Sequence, residues 1–193
     1  MRSVSNQFDC SIGVFMNISR TFFTSWLSVI KRRESEVLKL WDTPRDFTKL
    51  IIHSGDSILL NIGSEIGYEC YNADYYYTDA VFYKPKDVFP DYPKAYYLTD
   101  IRIAFEHEND FKSGLFQEVC HLLQVNSKLK VLVAYPPNKE EELEELDYLH
   151  RVILRSESSN ELSEKETFLI IMGHAEPYSW SGWLFNTECW VKI

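Results

Sequence analysis

Ile101-Arg102-Ile103-Ala104-Phe105-Glu106-His107-Glu108 decides how this chain is read. Four of its first five residues are apolar, and the run is expected to end a long strand over residues 95–108. Side chains along a strand alternate faces, so Glu106 and Glu108 share one face while His107 points to the other. Two carboxylates roughly 7 Å apart on one face repel each other and lose solvation. Either a bound divalent cation or open water must offset that cost. His107, on the opposite face, is expected to be packed or hydrogen-bonded rather than catalytic.

Working outward, the chain of 193 residues is 45% hydrophobic, enough to bury a full core, and is expected to form one domain over residues 1–193. Five Trp, twelve Tyr and twelve Phe favour a packed globule over a disordered chain. A formal net charge of -9 counts against a strong non-specific binder of duplex nucleic acid, although a local basic groove stays open. Cys10, Cys70, Cys120 and Cys189 form no CxxC pair, so they read as reduced thiols of a cytoplasmic protein. Residues 11–30 are interrupted by Asn17 and Arg20. They are expected to form an amphipathic surface helix, and no membrane association is expected.

Upstream of the strand, residues 21–41 follow a helical apolar pattern, broken by Lys31-Arg32-Arg33-Glu34. A second helix is expected from Thr43, with Pro44 in its first turn, and a third over residues 56–65, stopped by Gly67. Residues 67–71 read as a short extended segment and residues 75–83 as a strand. Pro85, Pro90 and Pro93 mark a connection between the latter and the strand ending at Glu108. Downstream come a helix over 114–125 and a strand over 129–135. Residues 139–155 form an acidic helix with Leu143, Leu146, Leu149 and Ile153 as its buried stripe. Its run of Glu140, Glu141, Glu142, Glu144 and Glu145 reads as a solvated face. A polar loop over 156–165, a buried strand over 167–172 and an aromatic edge strand over 180–191 complete the chain. The order implies an α/β fold with a mixed central sheet and helices on both faces.

The proline-rich connection should make the two long strands an antiparallel hairpin. A turn centred near Pro93 sets position 79 opposite about position 107, bringing Asp79 to Glu106 and Glu108. Three carboxylates at one end of a hairpin are hard oxygen ligands suited to Mg²⁺ or Mn²⁺. A slip of one residue would turn Asp79 to the wrong face. Pro90-Asp91 lies in the turn, at the opposite end from Glu106, and is set aside.

These residues resemble the PD-(D/E)xK nuclease superfamily, the restriction-endonuclease-like fold. There a helix carries a glutamate, the next strand begins with an aspartate and the following strand ends in (D/E)-x-K. A helix and a parallel strand then complete an α-β-β-β-α-β core. This chain offers Glu65, Asp79 and Glu106-His107-Glu108 in that order, then the helix after Gly114 and Lys130-Val131-Leu132-Val133-Ala134-Tyr135, with strand additions at the C-terminus. The resemblance covers about residues 56–135. It departs at Glu108, which stands where the family has its water-orienting lysine; some members use E-x-E.

The resemblance implies phosphodiester hydrolysis of DNA. Asp79 and Glu106 would hold a metal, Glu108 would hold a second metal or accept a proton from water, and Glu65 would act through a bridging water. Gln117 or Glu118 is a further candidate, and Gln117-x-x-x-His121 is similar to the Gln-x-x-x-Tyr helix of some exonuclease relatives. Lys84, Lys86, Lys94 and Arg102 are candidate phosphate contacts. Tyr71, Tyr75, Tyr76, Tyr77, Tyr96 and Tyr97 would either stack on unpaired bases or pack within the sheet. His53, His150 and His174 have no evident partner. Two alternatives stay open: an inactive member of the same fold acting as an acidic protein-interaction or regulatory module, and an unrelated α/β domain with an apolar small-ligand pocket.

Overall fold

A seven-stranded mixed sheet, with its strands in chain order across its width, organises the computed structural model, which describes residues 17–91 and 97–193. Cys10, Pro93, Lys94 and Tyr96 lie outside the described residues, as do the first residues of the expected 11–30 helix and 95–108 strand.

Among the described residues, four α-helices precede the sheet. α1 (Ile18–Arg32) starts under Asn17, whose Oδ1 accepts the Ser19 N–H at 2.9 Å, and ends on Lys31 and Arg32, cations at the negative end of the helix dipole. Arg33 separates it from α2 (Glu34–Leu40). α3 (Pro44–Thr48) follows Thr43 as expected, but the Thr43 hydroxyl donates to the Leu40 carbonyl instead of capping the new helix. A π-helical turn, Lys49–His53, leads to α4 (Ile58–Ile66), which Gly67 stops at φ 73°.

The strands β1 (Glu69–Tyr71), β2 (Ala80–Tyr83) and β3 (Ile101–Glu108) form an antiparallel meander. α5 (Leu115–Gln124) crosses over to β4 (Ser127–Ala134), parallel to β3. α6 (Lys139–Leu154) and α7 (Ser159–Glu164) lead to β5 (Phe168–Ala175), parallel to β4. β6 (Tyr178–Phe185) and β7 (Trp190–Lys192) return antiparallel. Several expected boundaries move. Residues 75–78 form a turn rather than strand, the 156–165 loop contains α7, and the single edge strand over 180–191 is part of a two-stranded return.

Side-chain parity along the sheet divides the core. Ile103 and Phe105 of β3 join Phe22 and Trp26 of α1, Ile51 and Ile62 on one face, while Ala104 joins Leu115, Val119, Leu146 and Leu149 on the other. The result is a helix–sheet–helix sandwich, with α1–α4 on one face and α5–α7 on the other. Burying a side chain such as Phe105 contributes on the order of 2–3 kcal/mol before entropy is counted. Among the described residues, no helix is long and apolar enough to cross a membrane.

Candidate metal centre

The register of β2 on β3 builds the centre. Ala80 pairs with Phe105 and Val81 with Ala104, so Asp79, one step before β2, falls opposite Glu106. The expected register differs by one residue, and that residue matters. Directly opposed residues of antiparallel strands share a face, so position 106 is the partner that puts Asp79 beside a carboxylate. Past the end of β2, side chains continue the ladder. The His107 N–H donates to Asp79 Oδ2 at 2.8 Å, and the Asp79 N–H donates to Glu106 Oε2 at 3.3 Å. Glu106 is 2% exposed, and its Oε1 has no hydrogen-bond partner among the described residues.

α5 adds the remaining groups. Leu115, Val119 and Leu122 press it onto the sheet, which carries Glu118 and His121 to the end of β3. Ligand atoms of Glu106, Glu118 and His121 all lie within 4.8 Å of one another. His121 Nδ1 is 3.5 Å from Glu118 Oε2. Exposure grades outward: Glu106 is buried, Asp79, Glu108 and Glu118 are half-buried, and His121 is exposed.

Burial pushes the Glu106 carboxyl up to about 9, with the Asp79 and Glu118 charges adding to the effect. Burial raises Asp79 too, against the pull of the His107 N–H, and raises Glu118, where His121 opposes and the Asp79 and Glu108 charges add. Three carboxyls this close cannot all stay charged at neutral pH without a counter-charge. A proton held by Glu106 is one way to meet that need, and a bound divalent cation would be another.

The other expected site residues divide. Glu108 shares the face of Glu106, close enough for its charge to raise Glu118, and its Oε1 accepts the Asp110 N–H at 2.5 Å. Glu65 is not brought to the centre. It projects from α4 on the opposite face of the sheet, held by the Ser25 hydroxyl and by Arg32 at 2.5 Å. Arg102 is not a phosphate contact either: only 8% exposed, it forms a two-pronged pair with buried Asp87. That guanidinium holds the Asp87 carboxyl down at about 2. Lys84 and Lys86 remain exposed, Lys84 Nζ lying 5.4 Å from the Tyr68 ring centre. Gln117 is exposed.

The histidines find partners that the sequence left unassigned. His107 Nε2 bonds the Tyr135 hydroxyl at 2.7 Å beside Phe47, and burial, with a smaller effect of His53, pushes the imidazole down to about 3. His53, ending the π-helical turn, bonds the Asn72 carbonyl at 3.2 Å and lies near enough to lower Asp79. His150 Nε2 meets the Asn186 carbonyl at 2.8 Å. His174 Nε2 meets Glu142 at 2.6 Å. Glu142 is the exception to the solvated face expected of its helix, where Glu140 and Glu144 are exposed. It is fully buried, while Leu143, expected in the stripe, is 50% exposed. Lys139, Ser181 and Trp183 also donate to the Glu142 carboxylate, which ties the start of α6 to β5 and β6.

Glu118 and Glu142 shared one legible signal, a carboxylate placed within an apolar helical stripe. Glu118 falls between Leu115 and Leu122, and Glu142 lies four residues before Leu146. A concavity of about 700 Å³ lies at the other end of the parallel strands, lined by apolar residues such as Ile101, Leu123 and Val125 as well as by Asp100, Lys128 and Lys130; it holds none of these carboxylates. No protein-family model matches the chain, and no curated protein matches it in sequence.

Proposed function

We propose that this chain is a divalent-metal-dependent hydrolase of phosphodiester bonds, a nuclease-like protein acting on DNA, with its ion held by Glu106, Glu118 and His121 beside Asp79. One observation carries the reading. Glu106 Oε1 is a buried oxygen with no partner among the described residues, and it belongs to a group of three ligand-bearing side chains at metal-binding separation. The donor set fits a divalent ion: carboxylates suit Mg²⁺ and Mn²⁺, and an imidazole shifts preference toward Mn²⁺.

When bound, the ion would polarise the scissile phosphate and lower the pKa of a water beside it. The rest of the work falls to the chain. The His107 N–H fixes the Asp79 carboxylate, and Glu106 is the buried member of the group. Glu108 is half-buried with Oε1 committed to Asp110, so its Oε2 is the atom suited to take a proton from the attacking water. Free thiols at Cys70, Cys120 and Cys189 support a reducing, cytoplasmic setting.

A second reading, an inactive nuclease-fold protein that binds a metal or a protein partner, is favoured by Glu108 in the lysine position and by the net charge of -9. Nuclease assays on single- and double-stranded DNA with Mn²⁺ or Mg²⁺ separate the two. Glu106→Ala should lower activity at least about hundredfold, since losing even an outer partner of a metal ligand costs up to that much. Activity that survives the substitution removes this centre. Metal binding without cleavage of either DNA supports the inactive protein.

A further inference from the structure

Tyr75 and Thr78 exchange both backbone hydrogen bonds, at 2.8 and 3.1 Å, leaving Tyr76 and Tyr77 as a two-residue loop with φ of 51° and 69°. Positive φ at both central positions marks a type I′ turn, which favours Asn-Gly and disfavours bulky L residues. Tyr76 is 70% exposed and Tyr77 84%. The turn therefore carries backbone strain and leaves two aromatic rings largely exposed, Tyr76 meeting the Tyr75 ring edge-on at 5.0 Å and keeping most of its surface in water.

The turn is also firmly held. Asp74 Oδ1 accepts the Tyr77 N–H at 2.9 Å, the Tyr75 hydroxyl accepts the Leu98 N–H at 3.2 Å, and the Asn72 amide donates to the Ile52 carbonyl at 2.7 Å. Tyr77 lies two residues before Asp79, so their Cα atoms are within about 7 Å by chain reach alone.

We propose that Tyr76 and Tyr77 form a stacking platform for the bases of an unpaired nucleic-acid strand whose backbone enters the carboxylate centre. This rests on the hydrolase reading and names its substrate class as single-stranded rather than duplex nucleic acid. In a duplex the base faces are covered by neighbouring pairs, whereas an unpaired strand offers them to aromatic rings. A chain of net charge -9 draws little affinity from phosphates, so stacking, which salt does not screen, carries the contact.

The test is fluorescence anisotropy of the full chain with a labelled oligothymidylate and a duplex of equal length. Millimolar Ca²⁺ serves as the ion, to limit cleavage. Replacing Tyr76→Asn and Tyr77→Gly together gives the turn its preferred sequence, so the variant should melt no lower than wild type. The wild type should prefer the single strand about tenfold or more. The double variant should lose about five- to 150-fold for each ring removed, and Tyr77→Trp should retain binding. Equal affinity of wild type and double variant, no preference over duplex, or no binding of either oligonucleotide overturns the platform. Mn²⁺-dependent cleavage unaffected by the turn exchange overturns the platform and leaves the hydrolase reading intact. Tyrosine-dependent binding without cleavage supports the platform while overturning hydrolysis.

Discussion

Replacing Glu106 by glutamine should make the metal-free protein more stable, by an amount that grows with pH. The folded chain holds the Glu106 carboxyl at about 9, against 4.5 for an unperturbed glutamate. Between those values the folded protein keeps a proton that the unfolded chain releases, so stability falls as pH rises through that window. Each unit is worth about 1.4 kcal/mol, which gives a cost of about 3 kcal/mol at pH 7, rising toward pH 9. That is an upper figure, because relaxation of the fold and water reaching the half-buried neighbours reduce the penalty. Glutamine can keep the hydrogen bond that the Glu106 side chain makes, its oxygen accepting the Asp79 N–H, and it carries no charge to bury. Thermal melts at pH 5, 7 and 9 should show the variant near wild type at pH 5 and higher by up to about 6–12 °C at pH 7. Mn²⁺ should offset most of the advantage, since an ion at a hundredfold its Kd adds about 2.7 kcal/mol to the wild type and little to the variant. Equal melting temperatures at pH 7, or a difference indifferent to pH, would refute the reasoning.

Arg102→Ala strands the buried Asp87 carboxylate without its partner, and denaturant unfolding should register a loss of about 3–5 kcal/mol. A value under about 1 kcal/mol would mean that Asp87 finds another partner. His107 acts on the acid side. Its folded value of about 3 lies below the unperturbed 6.5, so the unfolded chain takes up a proton first and stability drains as pH falls through that interval. His107→Phe removes this slope, and its stability relative to wild type should improve steadily from pH 6.5 to pH 4; a constant difference would show that His107 is already charged in the fold.

The carboxylate centre was partly legible because its strand members obey a local rule. Alternation put Glu106 and Glu108 on one face, and the hairpin brought Asp79 near them. Glu65 fails for a tertiary reason: α4 packs on the face of the sheet that β3 turns toward Phe105 and His107, where Arg32 claims the carboxylate. Glu118 and His121 needed the rotation of α5, which the packing of Leu115, Val119 and Leu122 against the sheet sets. Arg102 looked like a free cation because nothing local announces Asp87, fifteen residues away across the connection.

Periodicity alone determined the element types around the centre, because period two and period 3.6 are written in neighbouring residues. It gave the strand ending at Glu108, the helix after Gly114, a strand over residues 129–135 and hence the α/β class. Register, helix rotation and the choice of partner for each buried charge belong to the tertiary structure, because they depend on groups distant in sequence that meet only in the packed core. The step that put Asp79 opposite Glu106, and the packing that turned Glu118 and His121 toward them, made a pair of strand carboxylates into a centre whose buried Glu106 keeps one oxygen unpaired among the described residues.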